Sequence, residues 1–270
     1  MKADIEASLC EALDVRPGML VALVGAGGKT SLMYGLGREL ARQGRPALLT
    51  TTTKIRFPGK DQAGEVVLGE ENGRTVEEIR SRFARGAVVV AGRGRIEEKI
   101  AGFGPHFVES LKCADPLWTV VAECDGALGK SLKVPREGEP PVAESTDVYV
   151  VVVGGDCFGV PVGSQEIFNP EMVAAVAEVN LSAVVDREVV VRVVASGRSY
   201  LGRRPPSAKC SVFINKIGVE GFERSGEDFE KGRVTEALET GLALREIDGI
   251  ERVAMGSLER GSGKAFLVFK

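Results

Sequence analysis

An apolar run followed at once by a glycine-rich turn is the feature that most restricts the fold of this chain. Residues Met19 to Val24 are all apolar, and the sequence Gly25-Ala26-Gly27-Gly28-Lys29-Thr30-Ser31 comes directly after them. A continuous apolar run of this length is typical of a strand buried on both faces of a parallel sheet. Three leucines then recur at helical spacing. We therefore predict a strand, a tight turn and a helix from about Thr30 to Arg42.

The residue types in this turn suit the binding of phosphate. Glycines let backbone N–H groups approach phosphate oxygens without obstruction by Cβ atoms. A following helix N-terminus adds unpaired donors and a partial positive charge. We expect the amides of residues 25–28 to bind phosphate, Lys29 to reach the terminal phosphates and the Thr30 hydroxyl to bind Mg²⁺. The predicted phosphate-binding set is Gly25, Ala26, Gly27, Gly28, Lys29, Thr30 and Ser31.

The spacing of the turn departs from the Walker A pattern GxxxxGK[ST], because Leu23 occupies the position of its first glycine. The shorter form GxGGKT resembles the GTxGK[ST] loop of Mur-type ligases. The dinucleotide fingerprint GxGxxG fits less well, since its third glycine is replaced by Thr30. Its acidic ribose ligand is also missing, because threonines follow the second predicted strand. A nicotinamide or flavin enzyme is therefore disfavoured.

Apolar runs and helical patterns alternate along the rest of the chain. This alternation predicts an α/β fold of three layers, similar to P-loop NTPases, with a mostly parallel central sheet. We treat residues 1–270 as one domain with candidate lid or insert loops at 126–146 and 196–210. The later predicted strands are Ala47–Thr51, Ala87–Ala91, Thr119–Ala122, Val148–Val153, Val189–Val194, Ser211–Ile214, Arg252–Met255 and Ala265–Phe269. The other predicted helices run through Ile5, Leu9 and Leu13, from a Thr75 capping box to Phe83, from Asn169 to Val179, and near Glu227–Thr240.

Two carboxylates follow the strand that ends at Ala122. The sequence Glu123-Cys124-Asp125-Gly126 has the Walker B arrangement, in which a carboxylate after a buried strand holds Mg²⁺ directly or through water. The pattern leaves open which of Glu123 and Asp125 binds the metal and which positions an attacking water. Gly126 is placed to offer its N–H to a γ-phosphate. We expect Lys29, Glu123 and Asp125 to be the catalytic residues, and Thr30, Glu123 and Asp125 to be the metal-binding set.

Polar residues also follow three other strands, at the edge where ligands bind in such sheets. Thr51, Thr52 and Thr53 end the second strand, and Asp156 follows the strand 148–153; we expect them to bind substrate or sense the γ-phosphate. Asn215-Lys216-Ile217-Gly218 is similar to the base-reading motif NKxD. Gly218 replaces the acid that selects guanine, so both ATP and GTP remain candidates.

Composition excludes several other classes of function. The formal net charge is −3, from 35 basic and 38 acidic residues, and nucleic-acid binding requires a basic surface. The five cysteines form no CxxC pair, which disfavours a zinc ribbon. No apolar run approaches the roughly 18–20 residues of a membrane span, and Asp4 and Glu6 interrupt the region of a signal peptide. We therefore expect a cytoplasmic protein with no nucleic-acid or membrane partner.

Several segments together resemble one family. They are VGAGGKTS, LLTTTTKI, AECDGALGKSLKVPREGEPPVAESTD, VVVVGGDCFGVPV and FINKIG, which span about residues 18–218. The sequence looks like the YqeC family, known as selenium-dependent hydroxylase accessory proteins. The resemblance implies a partner among selenium-dependent molybdenum hydroxylases or their maturation proteins. It also implies that Lys133, Pro135, Glu139 and Pro140 belong to a loop near the nucleotide.

Three hypotheses follow from these patterns. The first is a Mg²⁺-dependent protein that binds a nucleoside triphosphate, hydrolyses it slowly and helps a hydroxylase to mature. The second is a switch or chaperone without hydrolysis, in which nucleotide orders the loop 126–145 for a partner. The third is a ligase or kinase that transfers phosphate to a small molecule, as the Mur-like loop suggests.

Overall fold

The structure is a computed structural model, which describes residues 4–59, 64–218, 228–258 and 266–269. Four of its strands, Leu20–Gly25, Ala47–Thr51, Thr119–Glu123 and Val148–Gly154, are wholly buried and mainly apolar, as expected for a sheet covered on both faces. The strands of these ranges are β1 Asp4–Ala7, β2 Leu20–Gly25, β3 Ala47–Thr51, β4 Lys54–Arg56, β5 Glu65–Leu68, β6 Val88–Gly92, β7 Gly94–Ile96, β8 Lys99–Ala101, β9 Thr119–Glu123, β10 Leu132–Lys133, β11 Val148–Gly154, β12 Ile167–Phe168, β13 Lys209–Asn215, β14 Arg252–Met255 and β15 Phe266–Phe269.

Ten strands form one sheet, in the order β1-β15-β14-β13-β11-β2-β9-β3-β6-β5. The eight strands from β14 to β5 are parallel to their neighbours, and β15 is antiparallel to both β14 and β1. Strand β2 lies between β9 and β11. Strands β9, β3, β6 and β5 lie on one side of it, and β11, β13 and β14 lie on the other. A strand at which the order reverses creates a crevice beyond its carboxyl end, and this crevice is where such sheets bind ligands.

Helices cover both faces of the sheet, which confirms the three-layer α/β architecture. One hydrophobic cluster joins α1 and α2 to the sheet, and a second cluster joins the other helices to the opposite face. Cys124 is a buried member of the second cluster. The helices of the described ranges are α1 Leu9–Leu13, α2 Lys29–Arg42, α3 Gly73–Phe83, α4 Pro105–Ala114, α5 Pro170–Ala177, α6 Arg187–Ala195 and α7 Asp228–Arg245.

Short strands decorate the carboxyl edge of the main sheet. β4, β8 and β7 form a small antiparallel sheet that follows directly from β3 and β6. β10 pairs in parallel with β12, and this pairing places residues 131–134 of the candidate insert 126–146 inside the protein, where Leu132 and Lys133 are buried. The sequence patterns did not reveal these strands, because none is longer than three residues.

One predicted strand is wrong. Val189–Val194 lies within helix α6, which Asp186 caps by accepting a hydrogen bond from the N–H of Val189 at 3.0 Å. The run of valines resembles a strand because β-branched residues favour extended backbone. Burial at Val189, Val190, Val193 and Val194 instead follows helical spacing, so packing of this face against the sheet overrides local propensity.

Two smaller expectations also need correction. Ile5 belongs to β1 and not to the N-terminal helix, which begins after Ser8. Helix α3 begins at Gly73 with Asn72 as its cap, two residues before the predicted start, because the Asn72 side chain accepts from the Thr75 N–H at 3.1 Å. The predicted bounds Glu227 and Ala265 lie outside the described residues. In the described ranges, no helix combines the length and apolarity needed to cross a membrane.

Candidate functional site

The turn between β2 and α2 has a backbone that requires glycine. Gly25, Gly27 and Gly28 have φ of +96°, +92° and +118°, a region that side chains with a Cβ rarely adopt. Space is also restricted, since a Cβ on Gly27 would collide with the backbone of Gly154 and one on Gly28 with the side chain of Asn215. The loop is therefore packed tightly between β11 and β13, and Gly28 caps α2.

The first amides of the loop already have partners within the protein. The N–H of Gly25 donates to Asp125 Oδ2 at 3.2 Å, that of Ala26 to the Val152 carbonyl at 2.9 Å and that of Gly27 to the Lys130 carbonyl at 2.8 Å. The sequence predicted that these three amides would bind phosphate, and the structure shows each of them bonded within the protein. Amides in the first turn of a helix have no acceptor within the helix, so the donors available to a ligand begin at Gly28, the cap of α2.

Lys29 and Thr30, the first residues of α2, contact the two carboxylates at the end of β9. Lys29 is buried, and its Nζ donates to the Gly25 carbonyl at 2.6 Å and lies 3.2 Å from Asp125 Oδ1 and 4.0 Å from Glu123 Oε1. The Thr30 hydroxyl donates to Glu123 Oε2 at 2.7 Å. The β9 end and the glycine loop thus form one cluster, as the sequence predicted.

Asp125 lies between two lysines. Its Oδ1 faces Lys29, and its Oδ2 lies 3.0 Å from Nζ of Lys133 and accepts from Gly25 N–H. The side chains of Asp125 and Lys133 are both 0% exposed. Both oxygens of this carboxylate are therefore committed to protein cations, which compensates the cost of burying its charge.

Glu123 has a different environment, although it lies only two residues away. Burial raises the pKa of its carboxyl, and the charge of Lys29 and the hydrogen bond from Thr30 only partly oppose this effect. Tyr34 follows Thr30 by one helical turn, and its buried hydroxyl has no hydrogen-bond partner among the residues that the structure describes. Burial, and then the charge of Glu123, raise the pKa of Tyr34 to about 12. Helical spacing from Thr30 could have indicated this tyrosine, which the sequence analysis missed.

The threonines that end β3 support the backbone around the site. Thr51 is paired in register with Glu123, and its hydroxyl donates to the Glu123 carbonyl at 2.7 Å and accepts from the Thr53 N–H at 3.0 Å. The N–H of Thr52 donates to the same carbonyl at 3.0 Å, and the Thr53 carbonyl accepts from Gly102 at 2.7 Å. The hydroxyl of Thr51 therefore links β3 to β9, and its contact with a substrate stays a prediction.

Asp156 and Lys216 meet on the other side of the loop. Nζ of Lys216 lies 2.6 Å from Asp156 Oδ2 and 2.9 Å from the Ser131 hydroxyl. Asp156 lies in the 3₁₀ turn after β11, and about a third of its side chain is exposed. Ser131 was not among the predicted site residues, because only the folding of the 126–146 segment brings it next to Lys216.

Asn215 is buried and uses both ends of its amide. Nδ2 donates to the Gly27 carbonyl at 2.7 Å, and Oδ1 accepts from the N–H of Leu258 at 3.1 Å. It therefore ties the glycine loop to the segment that follows β14. The four predicted strand ends do meet at one edge of the sheet, and Asn215 contributes to the site by holding the loop.

A hydroxyl and a carboxylate are the groups best placed to hold a metal ion. No cluster of three or more His, Cys, Asp or Glu side chains suited to a metal occurs among the described residues. The Thr30 hydroxyl and the Glu123 carboxylate offer hard oxygen ligands side by side, and Mg²⁺ in nucleotide sites usually takes one or two protein oxygens together with phosphates and water. These residues therefore fit Mg²⁺ bound with a phosphorylated ligand, and do not fit a metal caged by protein alone.

Comparison with known proteins gives one family. The family model described as YqeC protein matches residues 21–171, which is more than half of the chain. The YqeC protein of Escherichia coli (strain K12) is 26% identical over 203 residues, which cover 73% of this chain and 76% of that protein.

Among solved structures, FtsY from Mycoplasma mycoides aligns with a TM-score of 0.37 and 10% sequence identity. The alignment covers 96% of this chain, which spans 66% of the FtsY chain. The matched family region contains the glycine loop, both carboxylates after β9, and Lys133. The chain belongs to the YqeC family.

Proposed function

We propose that this protein binds a nucleoside triphosphate with Mg²⁺ at the carboxyl edge of its sheet, between the β2–α2 loop and the β9 end. The observation that carries the proposal is the contact of Thr30 with Glu123 at 2.7 Å, beside the buried Lys29. A lysine and a hydroxyl at the start of a helix, with a carboxylate at the end of a neighbouring strand, are the groups that bind terminal phosphates and their Mg²⁺.

The phosphate contacts would come from fewer amides than the loop sequence implies. Because Gly25, Ala26 and Gly27 donate within the protein, the ligand would meet the N–H groups of Gly28 and of the first residues of α2. The partial positive charge at this helix end favours an anion there. Lys29 would then exchange its contact with the Gly25 carbonyl for a phosphate oxygen.

The two carboxylates would have separate roles. Glu123 bonds to the Thr30 hydroxyl and is the one that would hold Mg²⁺, whose charge favours the ionised form of a buried carboxyl. When bound, Mg²⁺ would neutralise charge on the phosphates. Asp125, with a lysine on each oxygen, would orient Lys29. This division favours one of the two assignments that the sequence left open.

Family membership supports a proposal for the biological setting. The resemblance to selenium-dependent hydroxylase accessory proteins supports a role in the maturation of a selenium-dependent molybdenum hydroxylase, with nucleotide hydrolysis or phosphate transfer as the driving step. Slow hydrolysis is the expected rate, because Glu123 and Asp125 both already have partners and a general base must be free to accept a proton.

The same observation favours a second candidate, a switch that binds nucleotide without hydrolysing it. In that case nucleotide would act through the 126–146 segment, whose Lys133 contacts Asp125. Turnover measured with the partner hydroxylase present separates the candidates. Binding without phosphate release supports the switch, and release that needs an added small-molecule acceptor supports a ligase or kinase.

Calorimetric titration with ATP and with GTP, each with and without Mg²⁺, tests the proposal. We expect binding that depends on Mg²⁺, and loss of that dependence in Thr30→Val, which keeps the shape of the side chain and removes the hydroxyl. Thr240→Val is the matched control, because Thr240 is buried in α7 with a hydroxyl that has no partner. Absence of binding by folded wild-type protein at millimolar nucleotide would overturn the proposal.

A further inference from the structure

We infer that Lys133 is a positioning residue for the phosphate-binding Lys29, and that it acts through Asp125. The inference rests on the nucleotide binding proposed above and adds a residue of the 126–146 segment to that site. Lys133 touches neither the glycine loop nor α2 in the contacts described here, so its effect on the ligand would be indirect.

Lys133 is fully committed inside the protein. Its side chain is 0% exposed, and Nζ lies 3.0 Å from Asp125 Oδ2, 3.0 Å from Glu139 Oε2 and 2.9 Å from the Gly126 carbonyl. The ammonium also lies 5.4 Å from the ring centre of Phe168. An ammonium group has three N–H donors, and three acceptors surround this one. Lys133 therefore has no donor left for a ligand and can act only on the groups it already holds.

Asp125 transmits the effect because it has a lysine on each oxygen. With Oδ2 held by Lys133 and the Gly25 N–H, the carboxylate presents Oδ1 alone to Lys29 at 3.2 Å. Without Lys133, the carboxylate is free to turn both oxygens toward Lys29. It also becomes an uncompensated buried anion beside the phosphate site. Both changes oppose the transfer of Lys29 to an anionic ligand, so loss of Lys133 should weaken nucleotide binding.

A role limited to fastening the segment is the competing explanation, and Lys112 provides its control. Lys112 fastens the other end of the same segment, through the Ser145 carbonyl at 2.6 Å and Asp147 at 2.8 Å. None of its described contacts reaches Asp125. Replacement of either lysine by methionine loosens the segment, but only Lys133→Met removes a partner of Asp125.

Nucleotide affinity in a double-mutant cycle tests the inference. We expect Lys133→Met to weaken binding of ATP or GTP with Mg²⁺ about tenfold, and Lys112→Met to change it less than about twofold. In an Asp125→Asn background, Lys133→Met should weaken nucleotide binding by less than about a further twofold, because the carboxylate that connects Lys133 to Lys29 is already absent. Equal effects of the two lysine variants, or a full effect of Lys133→Met in the Asp125→Asn background, would overturn it.

A second measurement needs no nucleotide. The Gly25 N–H donates to Asp125, so Lys133→Met should speed hydrogen exchange at Gly25 relative to the Val212 amide in β13, while Lys112→Met should not. Lys133→Gln, which keeps a donor toward Asp125, should lie between wild type and Lys133→Met, and it replaces that variant if methionine prevents folding. Unchanged relative exchange overturns the inference. Wild-type protein that binds no nucleotide overturns the proposed function, and the exchange measurement then still tests whether Lys133 positions Asp125.

Discussion

Two strand ends meet at the glycine loop and stabilise it by different means. At the β9 end, Glu123 and Asp125 are buried carboxylates that contact Lys29, Thr30 and Lys133. At the β13 end, a neutral amide, Asn215, makes the buried contact with the loop, and the ion pair of Lys216 is partly exposed. Removal of one partner from a buried ion pair is costly, while a solvated pair contributes little. The comparison indicates that the buried charged groups at the β9 end affect the site more than the ion pair at the β13 end does.

The largest expected effect tests this difference directly. Asp125→Ala leaves Lys29 and Lys133 without a shared carboxylate, so we expect a loss of about 3–5 kcal/mol in the free energy of unfolding. Asp156→Ala removes the acid of the β13 side, and because a third of that side chain is exposed we expect a loss below about 1 kcal/mol. Denaturant unfolding at pH 7 measures both. Similar losses in the two variants would contradict the comparison.

A glycine substitution probes how closely the β13 end packs on the loop. Gly28 has φ +118° and its added Cβ would meet Asn215, whereas Gly44 has φ +70° and nothing lies within 4 Å of its added Cβ. Both alanine variants carry backbone strain, but only Gly28→Ala adds a collision. We expect Gly28→Ala to destabilise the protein by about 2 kcal/mol more than Gly44→Ala. Equal thermal midpoints in the two variants would show that the loop can move away from Asn215 without loss of stability.

Removal of the Asn215 amide should have a somewhat smaller effect. Asn215→Ala leaves the Gly27 carbonyl and the Leu258 N–H without their partner, which should cost about 2 kcal/mol of stability. Asn180→Ala is the control, since in the described part of the chain the Asn180 side chain accepts only from the exposed Ser182, and its removal should cost less than about 0.5 kcal/mol. If Asn215 acts only on a nucleotide base, the unliganded variant will keep wild-type stability.

The smallest effect concerns the 126–146 segment, which contains Lys133 and contacts Glu109 through Ser145. The N–H of Ser145, which donates to Glu109 at 2.9 Å, is the main reason that the pKa of Glu109 lies below its ordinary 4.5. A lowered acid pKa adds stability above the unfolded value, and this contribution is lost as pH falls through the folded value. The Tm difference between wild type and Glu109→Ala should therefore shrink below about pH 4.5. Glu137→Ala, which removes an exposed carboxylate of the same segment, is the matched control.

Much of the architecture was predictable because it depends on local patterns. The apolar runs that became β2, β3, β9, β11 and β13 are long, and each ends in glycine or polar residues. The valine run of α6 was misassigned because β-branched residues are compatible with either element. Only its neighbours, and the Asp186 cap, decide between them. The strands β4, β7 and β8 were missed because three residues carry too little periodicity to be recognised.

The sequence alone determined the strand–glycine loop–helix unit, the residues at the carboxyl edge of the sheet and the family of this protein. These features depend on neighbouring residues and on the rule that parallel strands end at one edge. Tertiary structure decided how the residues are used. The N–H groups of Gly25, Ala26 and Gly27 donate to Asp125, Val152 and Lys130, respectively. Asp125 also forms an ion pair with Lys133. Hydrogen-bond partners far apart in sequence leave no local pattern, so only the folded chain assigns Glu123 and Asp125 their different environments.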